Sequence, residues 1–137
     1  MPHPQFDRNL LRRKSLQERR DRIFVEKDFV TLDTKPADFS DSGRALVKET
    51  ADRLRSARDA DSARIMAFGA HTIKNGLAPI LIDLIEKGWL THLATNGAGI
   101  IHDWEFAYQG HSSEHVGENI ASGTFGLWEE TGYYLNL

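Results

Sequence analysis

The middle of the chain carries two short apolar runs separated by an amphipathic segment. The first run covers 63–69 and ends in glycine, as strands of parallel sheets often do. The second run covers 89–95 and leads directly into a glycine-rich turn. Between them, five apolar side chains recur at helical spacing before Gly88: Leu77, Ile80, Leu81, Leu84 and Ile85. Strand, helix and strand in this order predict a right-handed crossover and a parallel pair.

Weaker patterns surround this unit. A helix is predicted from Ser40, with one apolar face formed by Leu46, Val47, Thr50, Ala51 and Leu54. The polar stretch 55–62 is expected to be a loop, and 29–32 a short strand. Good helix formers dominate 6–24 without a clean apolar stripe, which favours a helix that is solvated or docked on a partner.

Composition places these elements in one globular domain with a basic arm. The chain has 137 residues, 40% of them apolar, and a formal net charge of −3. We assign 1–36 to the arm, because eight Lys/Arg against four Asp/Glu lie in its first 27 residues, and 37–137 to the domain body. The overall charge gives no reason to expect nucleic acid or an anionic membrane as partner.

Two absences limit the chemistry and the location. No cysteine is present, so neither a disulfide nor a thiolate is available. No apolar run reaches the roughly 20 residues of a membrane span, and the first residues lack the apolar stretch of a signal peptide. We therefore expect a soluble, cytoplasmic protein.

Candidate binding residues follow the two predicted strands. Ligands of open parallel sheets bind at the carboxyl ends of the strands. The first strand ends in Gly69, Ala70 and His71, with further polar side chains up to Gly76. The second ends in a run that begins with threonine: Thr95, Asn96, Gly97, Ala98 and Gly99. These eight residues are the predicted cofactor-binding site.

The glycine turn has both a functional and a purely structural interpretation. Gly97-x-Gly99 at a helix start lets backbone amides approach a phosphate or another anion, but such a turn also arises from geometry alone. A full dinucleotide fingerprint would have glycine where this chain has His102. His102 and Asp103 are candidate catalytic residues, as an acid or base and as a carboxylate that orients it or binds a cation. An exposed helix start is the alternative.

The remaining motifs give weaker evidence of function. His111 and His115 have the i, i+4 spacing of metal ligands on a helix, but no third ligand is in register, so no metal is expected. Neither a phosphate-binding Gly-Lys-Ser/Thr loop nor a Gly-x-Ser-x-Gly elbow occurs. The three tryptophans are interpreted as core or interface anchors.

The stretch 64–103 resembles the cofactor half of deoxyhypusine synthases. That family has a strand ending in a short polar turn, a helix after Ser-Gly, and a strand ending in Thr-Thr-Ala-Gly-Gly and Glu-Glu-Asp. This chain is similar in order and spacing, with Gly69-Ala70-His71, Asn75-Gly76 and Thr95-Asn96-Gly97-Ala98-Gly99-Ile100-Ile101-His102-Asp103; Ser42-Gly43 also lies on the predicted first helix.

The resemblance implies an α/β fold with a Rossmann-like parallel sheet and flanking helices. It also implies NAD as cofactor, a tetramer, and an NAD-dependent transferase that moves an aminoalkyl group from a polyamine through an enzyme-bound imine. The sequence departs from the family at Ile101 and His102, which replace paired glutamates, and it has no counterpart of the imine-forming lysine. A polycation is held by carboxylates, so altered or lost polyamine transfer is expected.

Two further expectations concern completeness and association. The chain ends on apolar and aromatic residues and offers few strands, so we expect an incomplete or truncated domain and self-association into a homo-oligomer, with a tetramer as the reference state. The substrate is expected to be a small molecule, an amine by resemblance. The alternative function is a non-catalytic module that keeps the fold for ligand binding or oligomer contacts.

Overall fold

The computed structural model describes residues 3–137 as a mixture of helices and short strands. The strands are β1 (Asp21–Phe24), β2 (Ile65–Phe68), β3 (His92–Thr95) and β4 (His111–Glu114). The helices are α1 (Val25–Asp28), α2 (Asp41–Asp59), α3 (Ala70–Lys74), α4 (Ala78–Glu86), α5 (Gly97–Gln109), α6 (Val116–Ala121) and α7 (Glu129–Tyr134). Short 3-10 turns cover Arg8–Leu10 and Leu16–Glu18. The fold is therefore α/β in the broad sense, with small sheets.

The predicted parallel pair is confirmed. β2 and β3 are parallel neighbours, with Ile65 opposite His92 and Phe68 opposite Thr95. α4 lies between them in the sequence and begins with Pro79 in its first turn, where the missing amide hydrogen is tolerated. Of its predicted apolar face, Leu81 is buried, Leu77 and Leu84 are half-buried, and Ile85 is exposed. The crossover unit thus forms as the hydrophobic pattern predicts.

The parallel pair is more exposed than the sequence indicates. Each residue of β3 is exposed, and Ile65 of β2 keeps 67% of its surface open. Within the described part of the chain, β2 and β3 form a sheet of two strands only, so both outer edges lack a hydrogen-bonded neighbour. Apolar runs typical of a buried sheet are therefore left uncovered by this chain.

We expect a second subunit to cover this surface, because exposed apolar patches and open strand edges favour association. Light scattering at micromolar concentration should give a mass that is a multiple of the 15.5 kDa chain. A strictly monomeric mass under those conditions would contradict the prediction. Leu93→Lys, on exposed β3, should then shift the wild-type oligomer toward monomer, whereas Lys48→Met on exposed α2 should not.

The N-terminal segment is not the predicted helix over 6–24. It contains two 3-10 turns and then β1, which pairs antiparallel with β4. Leu16 within it is fully buried, and Arg19 is buried as well. The helix prediction fails because these tertiary contacts need an extended chain that reaches β4 and α5, and they outweigh local helix propensity. The arm therefore packs on the body.

Three smaller predictions also differ from the structure. Residues 29–32 form no strand, and Val30 instead donates its amide hydrogen to the Gly76 carbonyl at 2.9 Å. The predicted loop 55–62 begins later, because α2 continues to Asp59. The polar turn after Gly69 contains a helical turn of its own, α3. Gly76 separates α3 from α4 with φ +81°, and an added Cβ would lie 2.6 Å from the Asp28 carbonyl oxygen.

The principal apolar core lies where α3, α4 and α5 meet. Ile73, Leu81 and Phe106 are its buried members, and Phe29 meets Phe106 edge to face with centroids 4.9 Å apart. This packing fixes α5 against α3 and α4, and with it the positions of the polar residues on α5. Among residues 3–137, none of the helices has the length and apolar character needed to cross a bilayer.

Candidate functional site

Both candidate turns leave the parallel pair at the same level. Phe68 and Thr95 are opposite each other in the register, and each ends its strand. Gly69 then precedes α3, and Asn96 precedes α5. Since neighbouring strands lie about 4.8 Å apart, one ligand can contact both turns. The structure thus brings the two groups of predicted cofactor-binding residues to one edge, where Gly69, His71, Asn96, Gly97 and Ala98 are exposed.

Asn96 caps the N-terminus of α5. Its side-chain oxygen accepts a hydrogen bond from the Gly99 amide at 3.0 Å, and its carbonyl accepts from Gly99 at 2.9 Å and Ile100 at 3.3 Å. Such a cap satisfies only part of the first helical turn. The amide hydrogens of Gly97 and Ala98, in the first turn of α5, make no hydrogen bond to any of the described residues. They are available to an anionic ligand.

The two glycines of the turn have different roles. A Cβ on Gly97 would meet no atom within 4 Å, so the space above it is open to a ligand. A Cβ on Gly99 would lie 2.2 Å from the Thr95 hydroxyl oxygen and 3.2 Å from its Cγ2. Gly99 is therefore needed for the close packing of α5 against the end of β3, while Gly97 leaves the backbone accessible. Packing against Thr95 accounts for glycine at position 99, whereas no neighbouring atom requires glycine at position 97.

Alanine substitutions at Gly99 and Gly97 test the different roles of the two glycines. Gly99→Ala should lower the free energy of unfolding by about 1–3 kcal/mol, because the methyl group overpacks the contact with Thr95. Gly97→Ala should be close to neutral, since its methyl group enters open space. Urea denaturation measures both. The double variant Thr95→Ala/Gly99→Ala should recover most of the loss; equal stability of the two single variants would contradict the packing role.

The two candidate catalytic residues lie on different sides of α5. His102 is half-buried and lines a cavity of about 340 Å³ that it shares with Lys74, Ala98 and Glu114. Asp103 is exposed and lines a separate, largely apolar groove beside Thr95 and Gly99. The structure therefore does not place Asp103 as the group that orients His102. Ala98, in the first turn of α5, lines the His102 cavity and not the groove of Asp103.

A serine and a glutamate orient His102 instead. Ser112 Oγ lies 2.7 Å from His102 Nδ1 and 2.5 Å from Glu105 Oε2. Glu105 also accepts a bond from the Thr131 hydroxyl at 2.8 Å. Glu105 and Ser112 are both fully buried. His102, Glu105 and Ser112 thus form a continuous hydrogen-bonded chain from the protein interior to the cavity.

Glu105 owes its charge to a buried arginine from the N-terminal segment. Arg19 Nη1 and Nη2 donate to the two oxygens of Glu105 at 2.7 and 2.6 Å, a bidentate pair. Arg19 also pairs with Asp21 at 2.6 Å, and His111 Nδ1 lies 2.6 Å from the second oxygen of Asp21. The buried ionic network is defined by these residues: Arg19, Asp21, Glu105, Ser112 and His111.

Burial and hydrogen bonding set the protonation states of this network. Burial opposes ionisation of Glu105, but hydrogen bonds from Arg19, Ser112 and Thr131 outweigh it and hold its pKa below the ordinary value of 4.5. Burial lowers the pKa of His102, and the cations Lys74, Arg19 and His71 add to this, while Glu105 acts in the opposite direction. At neutral pH we therefore treat Glu105 as ionised and His102 as neutral.

Sequence reasoning missed most of this network. Arg19 was one basic residue among many in the arm, and Glu105, Ser112 and Thr131 are far from it in sequence. The only local signal is Glu105, an acid three residues after His102 on the same helix. His111 and His115 do not share a helical face, because His111 lies in β4. Among residues 3–137, no group of three or more His, Asp or Glu side chains is placed to hold a metal ion.

Comparison with known proteins gives no relative for this chain. Searches against family models, curated proteins and solved structures return no match.

Proposed function

We propose that the chain binds a nicotinamide dinucleotide at the carboxyl edge of β2 and β3, as the cofactor-binding part of a deoxyhypusine synthase-like transferase. This proposal assumes a Rossmann-like fold, in which a longer protein or another subunit supplies the strands beyond β2 and β3. The observation that carries it is the open space above Gly97 at the capped N-terminus of a 13-residue helix, next to a second turn on the adjacent parallel strand.

The chemistry of the edge suits a phosphate-bearing ligand. The amides of Gly97 and Ala98 and the helix dipole of α5 would meet the pyrophosphate or a ribose. Gly69 has no atom within 4 Å of an added Cβ, so the second turn is open as well. His71 is exposed at the start of α3 and would donate a side-chain hydrogen bond. The cofactor would supply hydride transfer, and the protein would supply binding and orientation.

His102 would act beside the cofactor as acid or base in the transfer of an aminoalkyl group. It lies about one and a half helical turns after Gly97, and Ala98 of the glycine turn is among the residues that line its cavity. Its orientation by Ser112 and Glu105 is what a general base requires, namely a fixed tautomer and a nearby negative charge. Because His102 and Ile101 replace acidic residues of the family, we propose a substrate other than a simple polyamine.

The alternative function is a non-catalytic module, and one observation favours it. Apolar side chains line the groove beside Asp103, and several of them are exposed, including Ile82, Ile85 and Ile100. A subunit contact would bury them whether or not the edge binds a cofactor. Dinucleotide binding distinguishes the two functions, because the module needs no cofactor for its contacts.

Calorimetry with NAD⁺ and with NADH tests the proposal. Wild-type protein should release or absorb heat with one site per chain. Gly97→Val should abolish it, because the side chain fills the space through which the backbone amides are reached. Ser122→Val, in an exposed turn far along the chain, is the matched control and should bind as wild type does. Absence of wild-type binding, or unchanged affinity in Gly97→Val, would refute the dinucleotide site.

A further inference from the structure

The cavity around His102 contains two opposite charges that no ion pair neutralises. The ammonium of Lys74, at the end of α3, makes no ion pair or hydrogen bond to any group in the described range 3–137. Glu114, at the end of β4, has no ion pair there either. Its carboxylate is held by neutral donors only: Trp128 Nε1 at 3.0 Å, Asn119 Nδ2 at 2.6 Å and the Gly126 amide at 3.1 Å. Each of these two charges can therefore pair with an oppositely charged group of a ligand.

Glu114 keeps capacity for one more donor. A carboxylate offers about four acceptor positions, and three are used here, two of them on Oε2. Ser113 lines the same cavity, and its hydroxyl makes no hydrogen bond within the described residues. This hydroxyl can therefore donate to or accept from a polar ligand in the cavity.

The hydrogen-bonded chain fixes which nitrogen of His102 is free. Ionised Glu105 can only accept, so Ser112 donates its single hydrogen to Glu105. Ser112 then accepts from His102, which places the ring proton on Nδ1. Nε2 carries the lone pair, and it makes no hydrogen bond to the described residues. His102 thus presents a proton acceptor to the cavity that contains Lys74 and Glu114.

We propose that this cavity binds a small zwitterion, with its carboxylate on Lys74 and its ammonium on Glu114, and that His102 Nε2 accepts a hydrogen bond from that ammonium. Ser112 and the ionised Glu105 hold the ring proton of His102 on Nδ1, so that Nε2 stays an acceptor. Ser112 and Glu105 are positioning residues. The inference goes beyond the proposed function, because it needs no dinucleotide.

The probes are ω-amino acids of increasing length: β-alanine, 4-aminobutyrate and 6-aminohexanoate. Each is compared by calorimetry with the analogue that lacks its amine and the analogue that lacks its carboxylate. At least one amino acid should bind about tenfold more tightly than both of its analogues, the difference expected from one charged hydrogen bond. If no amino acid binds at millimolar concentration, or if an analogue binds as well as its parent, the zwitterion site is refuted.

Variants assign the two ends of the probe. Lys74→Met should reduce affinity for the amino acid to that of the amine analogue, and Glu114→Gln should reduce it to that of the carboxylate analogue. Lys87→Met, an exposed lysine paired with Asp83 on α4, should change neither. Unchanged selectivity in both site variants would overturn the assignment. NAD⁺ binding is measured in the same variants, so failure of this site is distinguished from failure of the dinucleotide site.

The protonation of the two His102 ring nitrogens tests whether Nε2 is the acceptor. Nitrogen-15 NMR should show the Nδ1–H tautomer at neutral pH, and His102 should titrate below the ordinary histidine value of 6.5. Ser112→Ala should yield a mixture of tautomers while the fold, judged from amide spectra, stays intact. Ser122→Ala, an exposed serine, is the matched control. A proton on Nε2 in the wild-type protein would refute His102 as the acceptor.

Discussion

Arg19→Met should lower the free energy of unfolding by about 3–5 kcal/mol, as measured by urea denaturation. Removing the guanidinium leaves two carboxylates buried without their cation, since the side chains of Glu105 and Asp21 are 1% and 0% exposed. Their desolvation is then no longer offset by charge pairing. Methionine keeps most of the side-chain volume, so the loss reports the missing charge and its hydrogen bonds rather than a cavity.

An exposed ion pair provides the control for Arg19. Arg53 pairs with Glu49 on α2 at 2.5 Å, and both side chains are exposed. Arg53→Met should therefore change stability by no more than about 1 kcal/mol. A similar small effect in Arg19→Met would show that the buried network contributes little and that the arm is not fixed by it.

The same network makes stability depend on pH in a defined direction. The folded pKa of Glu105 is below its ordinary value of 4.5, so the unfolded chain takes up this proton first as the pH falls. The contribution of Glu105 is fully present above about 4.5 and is lost as the pH falls through its lower folded pKa. The stability difference between wild type and Glu105→Gln should therefore shrink in acid. A difference that stays constant would mean that Glu105 does not titrate as described.

Phe106→Ala should lower the free energy of unfolding by about 3–5 kcal/mol. Phe106 is 7% exposed and packs with Ile73, Leu81 and the edge of Phe29, so its removal leaves a cavity between α3, α4 and α5. The same helix carries Gly97 and His102, and loosening it should also weaken ligand binding at both proposed sites. Denaturation monitored by circular dichroism measures the stability.

Phe6 supplies the comparison for Phe106. It is 67% exposed, so Phe6→Ala should stay within about 0.5 kcal/mol of wild type. The two variants remove the same side chain from different environments. Equal losses would contradict the description of the α3, α4 and α5 contact as the principal core.

The crossover unit was predictable from the sequence because its signals are local. β2, α4 and β3 follow from two apolar runs, one amphipathic segment and the glycines at their ends. Ser40 marks the start of α2, because its side chain accepts a hydrogen bond from the Gly43 amide. The same locality explains the placement of Gly69 and Asn96 at one edge. The parallel order follows from chain connectivity, which needs no knowledge of distant contacts.

The N-terminal segment and the buried network were not predictable in this way. Arg19 and Glu105 are 86 positions apart, and nothing in the composition of either segment indicates that they pair. Helix-forming residues over 6–24 led to a wrong prediction, since β1 is extended by its pairing with β4. His102 was found from its place after the glycine turn, but Ser112, which orients it, belongs to a strand that the sequence does not signal.

An amide NMR titration of nitrogen-15-labelled protein with NAD⁺ tests the proposed dinucleotide site most directly. We expect the largest shifts on the amides of Gly97 and Ala98, with smaller shifts at Gly69, and saturation at one ligand per chain. Amides of the exposed helix α2, such as that of Lys48, should stay unchanged. Saturating shifts centred away from the carboxyl edge of β2 and β3, or no shifts at all, would contradict it.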